Sequence, residues 1–352
     1  MPRKTAPRAP GGAVPALALL TLGFALVDLA PLRAAFDAVA LGLAAAAAGL
    51  FNLAGLTVIR DGATLRETVA GWGMEVTRVC DGNGLAVAAA GLVAALAWRR
   101  GWRWGVLAFA VALLAIQAFN LFRIVILGVV LHLDPARFDA VHLDVFPLLT
   151  AAGFLLAAGL MLRTPLRRLA VALALVAAFG AVWTLGLAAL SAAPLAGLAN
   201  LLLVAAPAGI GPIAPRPEGW LVETMALAQI DPAILHRAAI WPADFAIALP
   251  VILAALAAAP SRRGALALAA GLAVMVVALA LGAVTEALAV LQAGPVLGML
   301  TTQPDGGLAL LPYLPPGDSA VASLRLAQNV LVHFNLLVLP GLILSMARAR
   351  PA

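Results

Sequence analysis

The chain has 352 residues, of which 64% are hydrophobic and 11% charged, and its mean hydropathy is +1.06. A soluble domain is roughly 45–50% apolar and about 25% charged, so this composition excludes a soluble enzyme and indicates an integral membrane protein. The formal net charge of +6 comes from short clusters of Arg and Lys. In a membrane protein such clusters report orientation and not nucleic-acid binding.

Several apolar stretches have the length that a membrane crossing requires, because a hydrocarbon core ~30 Å thick needs about 20 apolar residues per helix. They are rich in Ala and Leu and do not alternate every second residue, which favours helices over a barrel. The sequence therefore predicts an all-α, polytopic helical membrane protein with about eight to ten transmembrane helices. The candidate stretches are 14–30, 36–57, 84–98, 104–131, 145–162, 168–193, 195–212, 245–259, 264–292 and 328–346.

The orientation follows from two basic clusters that flank the region 104–162, since cytoplasmic loops are enriched in Lys and Arg. With both clusters inside, the start of helix 84–98 lies on the outer face, as does the loop before helix 145–162. Cys80 and His142 are therefore expected on the same, outer side of the plasma membrane. The clusters are Arg99, Arg100 and Arg103, and Arg163, Arg167 and Arg168.

The N-terminal tail conflicts with this orientation. Two crossings before Cys80 would put the tail MPRKTAPRAP outside, whereas its basic residues favour the inside. Either the tail is an exception to a statistical rule, or the stretch 14–30 does not make a full crossing.

The second half of the chain contains two long stretches punctuated by polar residues and Pro, at 211–245 and 301–329. We expect them to be extramembrane loops between helices, with no strand-rich soluble domain.

Three residues on the predicted outer face have the chemistry of a nucleophilic site: Cys80, Arg123 and His142. Such a site needs a thiolate, a proton carrier and a donor for the developing oxyanion. Cys80, the sole cysteine, begins a helix, and the positive end of a helix dipole favours a thiolate. His142 is flanked by Asp139 and Asp144, either of which could orient its imidazole.

Arg123 interrupts the apolar run 104–131, where an arginine near the helix centre costs about 2.5–3.5 kcal/mol on insertion scales. That run would be about 42 Å long as a helix, so its crossing is complete near Asn120 to Arg123. An arginine kept at such a cost often marks function, although a position at the interface also lets it snorkel.

Each of the three residues also has an ordinary structural explanation. A free cysteine is often a small core residue, and a lone histidine in a loop is usually solvated. His132, ten residues before His142, competes for the role of proton carrier. We expect Cys80, Arg123 and His142 to converge and His132 to point away from the thiol.

The order of these residues resembles the exosortase/archaeosortase family over roughly residues 35–165. The pattern V-x-x-x-C-x-G ends at Cys80 and Gly82, N-x-x-R-I covers Asn120 to Ile124, and a single His, His142, precedes the next apolar helix. The upstream text FNLAGLTVIRDGATLRETVAGWGMEV also resembles the family's helix and short outward hairpin-like segment. Asp81 departs from the pattern, because many members carry a small residue there.

The resemblance implies a membrane cysteine protease and transpeptidase that recognises a C-terminal sorting signal made of a short motif, a transmembrane helix and a basic tail. Cys80 would form a thioester with the substrate, His142 would shuttle the proton, and Arg123 would bind the oxyanion or position His142. Supporting roles fall to Asn120, Gly82, Asp139 and Asp144.

The same resemblance implies tailed secreted proteins as partners, an acceptor at the cell surface, membrane lipid around the protein, and no nucleic acid, cofactor or metal. It divides the chain into an N-terminal tail and first hydrophobic segment at 1–34, a catalytic core at 35–165 and a further helical region at 166–352.

Two other classes of protein stay open at this point. In a transporter or permease, Arg123 and the helix-embedded residues Asp28, Glu286 and Asn335 would line a pathway. In a noncatalytic assembly protein, the region 166–352 would be a platform for partners. Zinc and serine hydrolases fit poorly, because neither H-E-x-x-H nor G-x-S-x-G occurs.

Overall fold

The structure, a computed structural model, describes residues 12–27, 29–76, 82–97, 101–204, 210–216, 219–228, 235–240, 247–293, 296–302, 308–311 and 318–346. Within these ranges, six helical segments are long and apolar enough to cross a membrane and three shorter apolar helices accompany them. This confirms the predicted all-α polytopic membrane fold. The six segments are Ala30–Leu53, Trp102–Leu133, Pro135–Met161, Leu166–Leu203, Arg262–Leu291 and Ser319–Met346.

The first half of the chain is built from five helices and a small sheet. A 3-10 turn at Pro135–Arg137 and a π-helical turn at Ala140–Val145 connect α4 to α5. The helices are α1 (Ala13–Leu26), α2 (Ala30–Leu53), α3 (Asn83–Ala97), α4 (Trp102–Leu133) and α5 (Phe146–Met161).

The described part of the second half contains six helices, with π-helical turns at Trp183–Leu187 and Phe334–Val338. The stretches 168–193 and 195–212, predicted as separate crossings, lie in one described segment, Leu166–Leu203, which is kinked at Gly186 and contains Pro194. The helices are α6 (Leu166–Val182), α7 (Ala188–Leu203), α8 (Ala248–Ala258), α9 (Arg262–Ala293), α10 (Asp318–His333) and α11 (Leu339–Met346).

A three-stranded antiparallel sheet follows α2, where the sequence resembles a short outward hairpin. Its strands are β1 (Val58–Asp61), β2 (Thr64–Glu67) and β3 (Gly73–Glu75), in the order β1-β2-β3. The Asn52 side chain ties the end of α2 to β1, since it accepts from the Val58 amide at 2.8 Å and donates to the Val58 carbonyl at 3.1 Å. Trp72 packs edge-on against Phe51 with ring centroids 5.7 Å apart.

The polar stretches of the second half contain a five-stranded sheet, so the expectation of loops without strands was wrong. The strands form the path β4-β5-β7-β8, and β6 pairs with β5. Asn200 of α7 joins the helices to this sheet, because its side chain bonds both the amide and the carbonyl of Ile213. The strands are β4 (Ile210–Arg216), β5 (Gly219–Ala228), β6 (Leu235–Ile240), β7 (Val296–Thr302) and β8 (Leu308–Leu311).

Helix α3 lies at the centre of the largest hydrophobic core, between helices from the two ends of the chain. On one side, a Cβ placed on Gly91 would lie only 3.0 Å from Leu20 of α1. On the other, a Cβ placed on Gly341 of α11 would lie 2.9 Å from Leu92. The two halves of the chain therefore share one core, in which α3 is enclosed by α1 and by residues 334–344.

Candidate functional site

Cys80 lies outside the described residues, as do Asp81 and Asp28, and the described chain resumes at Gly82. Gly82, two residues after Cys80 in the sequence, is the first residue of the C-x-G motif that the structure describes. We call Cys80, Gly82, Asn120, Arg123 and His142 the Cys80 site.

Gly82 adopts a left-handed conformation with φ +84, and its carbonyl accepts the first hydrogen bond of α3, from the Ala86 amide at 2.8 Å. It also packs directly on α4, where a Cβ would overlap the Asn120 side chain and lie 3.1 Å from Ile116 Cγ2. Both the backbone angle and the close approach favour glycine at this position. The glycine of the C-x-G motif thus holds the start of α3 against Asn120.

Asn120 is 1% exposed, and its Nδ2 donates to Gln117 Oε1 at 3.4 Å on the same helix. Arg123 follows Asn120 by three residues, which places it almost one turn further along α4, on a neighbouring part of the same face. The N-x-x-R spacing therefore presents the amide and the guanidinium on the side of α4 that carries the Gly82 contact.

Arg123 connects α4 with the segment that carries His142. Its guanidinium lies over the Phe146 ring, with Cζ 5.8 Å from the ring centroid. Phe146 is 1% exposed and begins α5, four residues after His142. Arg123 and Asp139 are the charged groups that act electrostatically on the His142 imidazole.

His142 lies on the π-helical turn Ala140–Val145, half-buried, with its ring centroid 5.3 Å from that of Phe138. Of its two flanking acids, Asp139 interacts with it electrostatically, and Asp144 is partly buried on the same turn. Arg123 thus lies within electrostatic range of His142. Their distance to Cys80, and the supporting roles of the two acids, stay predictions.

His132, the competing histidine, is associated with the sheet β1–β3. Burial raises the pKa of Glu67, but hydrogen bonds from the amides of Ala70, Val69 and Gly71, together with the charge of His132, outweigh it and lower that pKa. The Glu67 carboxylate accepts from the Val69 amide at 3.0 Å and also from that of Ala70. Glu67 and His132 therefore interact at the sheet, and the prediction that His132 points away from Cys80 stays untested.

An apolar cavity of ≈ 160 Å³ lies between α3, α4 and α5, directly beside the Cys80 site. Two of its lining residues, Ile116 and Phe119, also contact the site, through Gly82 and Phe146 respectively. The cavity can accommodate apolar side chains or an acyl chain. Its lining offers almost no hydrogen-bonding group. Its other lining residues include Leu85, Ala89, Phe154 and Met161.

No group of three or more His, Cys, Asp or Glu that could hold a metal ion occurs among the residues that the structure describes.

One histidine near the site was missed in the sequence. His333, at the end of α10, directs its Nε2 at Gly84 in the first turn of α3, where a Cβ would lie 2.9 Å from that nitrogen. The available signal was an ionisable residue in the middle of the apolar stretch 328–346.

Comparison with known proteins gives one match. The family model described as transmembrane exosortase matches residues 9–159. This range contains α1 to α4, most of α5 and every residue of the Cys80 site. No curated protein and no solved structure matches the chain.

Proposed function

Because residues 9–159 match the family model described as transmembrane exosortase, we propose that this integral membrane protein is a sorting transpeptidase. It cleaves secreted proteins at a C-terminal signal made of a short motif, a transmembrane helix and a basic tail. The product is transferred to an acceptor nucleophile at the cell surface. Cys80 is the nucleophile of this proposed reaction, on the outer face of the membrane.

The observation that supports this proposal is a continuous set of contacts around the start of α3. Gly82, two residues after Cys80, packs on Asn120. Arg123, almost one turn beyond Asn120, lies over Phe146 and interacts with His142. Arg123 therefore lies on a helix that packs against that start, and its charge acts on His142, which supports the assignment of both residues to an acyl transfer.

In the proposed reaction, the Cys80 thiol gives its proton to His142, and Sγ attacks the scissile carbonyl carbon to form a tetrahedral intermediate. Arg123 donates hydrogen bonds to its oxyanion or holds His142 in position, and both roles use its planar guanidinium. His142 gives a proton to the leaving amine as the C–N bond breaks, which leaves a thioester on Cys80. The acceptor then loses a proton to His142, attacks the thioester and releases the thiol.

The apolar cavity fits the same substrate class. A sorting signal places its transmembrane helix directly after the cleaved motif, so apolar side chains must enter the bilayer beside the site. The cavity between α3, α4 and α5 is lined almost wholly by apolar atoms, as such side chains require. Burial of an apolar side chain there would contribute binding at roughly 25 cal/mol per Å².

The transporter alternative gains little from the structure. Asn335, one of the residues that would line its pathway, is 2% exposed and donates to the Gly271 carbonyl at 3.1 Å. This hydrogen bond ties the turn after α10 to α9. Asn335 is thus engaged in helix packing.

A processing assay tests the proposal. The chain is expressed together with a secreted protein from the same genome that ends in a motif, an apolar helix and a basic tail. We expect the substrate to lose its helix and tail only when the chain is present, as measured by mass spectrometry of its new C-terminus. Tailed proteins that stay full-length beside correctly inserted chain would contradict the proposed function.

Arg123→Lys should reduce processing by about a hundredfold, because lysine keeps the charge but lacks the planar fork that holds an oxyanion or an imidazole in fixed geometry. The measurement is the initial rate of substrate cleavage at equal membrane abundance. Arg103→Lys is the matched control, since Arg103 lies at the other end of α4, beside Trp102. Equal rates for the two variants would remove Arg123 from the mechanism.

A further inference from the structure

Strand β3 forms one edge of the three-stranded sheet, and its register with β2 shows which of its backbone groups point away from the sheet. In an antiparallel pair, residues that exchange hydrogen bonds alternate with residues whose amide and carbonyl face the other way. The Glu67 amide donates to the Trp72 carbonyl at 2.9 Å, so these two residues form a hydrogen-bonded pair. Met74 is therefore bonded to β2, whereas the backbone groups of Gly73 and Glu75 point outward.

The two outward-facing residues of β3 are accessible. Gly73 and Glu75 are both exposed, and Met74 between them is half-buried. Among the described residues, none forms a hydrogen bond with the outward amide or carbonyl of Gly73 or Glu75. Donors and acceptors repeated every second residue are what an added extended chain requires. Gly73 also lacks a side chain, which lets another backbone approach closely.

Strand β1 forms the opposite edge, which is partly occupied. The Asn52 side chain bonds both the amide and the carbonyl of Val58, at 2.8 and 3.1 Å. The Thr68 amide donates to the Thr57 carbonyl at 3.0 Å, so the same alternation leaves Arg60 as the next residue of β1 with an outward backbone. The β3 edge therefore offers two consecutive outward residues, and the β1 edge offers one.

The β3 edge is held in an extended conformation by its surroundings. Trp72, just before β3, is 8% exposed and packs against Phe51. In the turn between β2 and β3, the Glu67 carboxylate accepts hydrogen bonds from the amides of Val69 and Ala70. An edge that is already ordered loses little conformational entropy when a peptide binds to it, which favours affinity.

The sheet also packs on the part of α4 that carries Arg123. Ile124, the next residue, is 3% exposed and belongs to the same hydrophobic cluster as Leu65, Trp72 and Val76. The sheet and α4 thus share one core. A peptide bound to the sheet is held to the element whose guanidinium has a role in the proposed reaction.

We propose that the β3 edge binds the extended segment of a tailed substrate as a fourth, added strand. The amides of Gly73 and Glu75 donate to substrate carbonyls, and their carbonyls accept from substrate amides. The choice of occupant rests on the proposed function. The segment that precedes the substrate's transmembrane helix lies outside the hydrocarbon, and it cannot be helical when its scissile carbonyl is attacked.

Hydrogen–deuterium exchange, resolved to single amides by mass spectrometry, measures this binding without cleavage. The probe is the purified tailed protein of the processing assay, added to full-length chain that carries Cys80→Ala so that substrate is bound and not turned over. We expect exchange at the amides of Gly73 and Glu75 to slow by at least about tenfold. The amide of Arg60, at the opposite edge, should exchange as it does without the probe.

Glu75→Pro removes one outward amide and keeps the hydrogen bonds between β3 and β2, because proline is tolerated on an edge strand at such a position. In the same background, we expect the Kd for the tailed protein to rise about fivefold, the effect of one lost hydrogen bond. Arg60→Pro, the same change at the opposite edge, is the matched control and should leave the Kd unchanged. Equal Kd values for the two folded variants would overturn the proposal, and the exchange experiment decides alone if Glu75→Pro does not fold.

The added strand and the proposed function fail in different ways. Protection of Gly73 and Glu75 by a tailed protein that the wild-type chain never cleaves supports the added strand and contradicts the proposed function. Cleavage of a tailed protein that protects neither amide overturns the added strand alone. Amides that are already protected without the probe show that the chain itself or a second copy covers the edge, which also overturns the proposal.

Discussion

Cys80→Ala is expected to lower substrate processing by at least about a thousandfold, because removing the attacking atom eliminates the covalent route. Insertion and abundance should stay at the wild-type level, since alanine is small and apolar, as the surrounding membrane helices are. The measurement is the fraction of tailed substrate converted, by immunoblot and by mass spectrometry of the new C-terminus.

Cys80→Ser is the matched control, because serine is close to cysteine in size but replaces the thiol with a hydroxyl. We expect it to be nearly inactive too, because a base suited to a thiol cannot ionise a hydroxyl. Wild-type chain should also yield a hydroxylamine-sensitive adduct between substrate and the peptide that contains Cys80, and both variants should lack it. Equal processing by wild type and Cys80→Ala would instead favour a transporter or an assembly protein, in which this side chain only fills space.

Gly82→Ala should have the second largest effect, on both stability and processing. The left-handed φ of +84 costs a non-glycine residue roughly 1–2 kcal/mol, and the added methyl must also displace the buried Asn120 side chain. Moving Asn120 shifts the face of α4 that carries Arg123. We therefore expect processing to fall at least about tenfold beyond what the loss of folded protein explains.

Gly55→Ala separates the two causes. Gly55 has φ +87, almost the same as Gly82, but a Cβ there would meet nothing within 4 Å. Gly55→Ala should lower the melting temperature, because the backbone is strained. The protein that does fold should process substrate at the wild-type rate. If both variants lose processing equally, the contact between Gly82 and Asn120 has no part in positioning the site.

Most of the helices were predictable from the sequence. A helix that crosses the bilayer needs a long run of apolar residues, and such runs are visible in a single sequence. The helix α4 and the start of α3 follow from apolar runs bounded by polar residues. The sheet β4–β8 was not predictable in this way, since its strands lie in stretches broken by Pro and polar residues.

Some residues of the candidate site were predictable from the sequence and others were not. Gly82, Asn120 and Arg123 were predicted because their spacing is local, and the structure adds that Gly82 and Asn120 touch. His333 was missed because its position beside Gly84 depends on packing between residues far apart in the chain. No periodicity or motif in one sequence reports such a contact. The boundary predicted between 35–165 and 166–352 stays a prediction, although both regions contribute to one core.

The enclosure of α3 has a consequence for how the protein is made. Its partner α1 leaves the ribosome before it, whereas residues 334–344 follow the end of α3 by roughly 240 residues. At about 5–20 residues per second, translation of that interval takes roughly 12–50 s, during which lipid or another membrane protein must cover the face of α3 around Leu92. A nascent chain therefore carries α3 through the membrane-insertion machinery before the C-terminal helices that enclose it exist. Chains interrupted after α5 would retain Cys80, Arg123 and His142 but present a bare α3 surface to the bilayer, a feature by which membrane quality control can distinguish unfinished from finished copies.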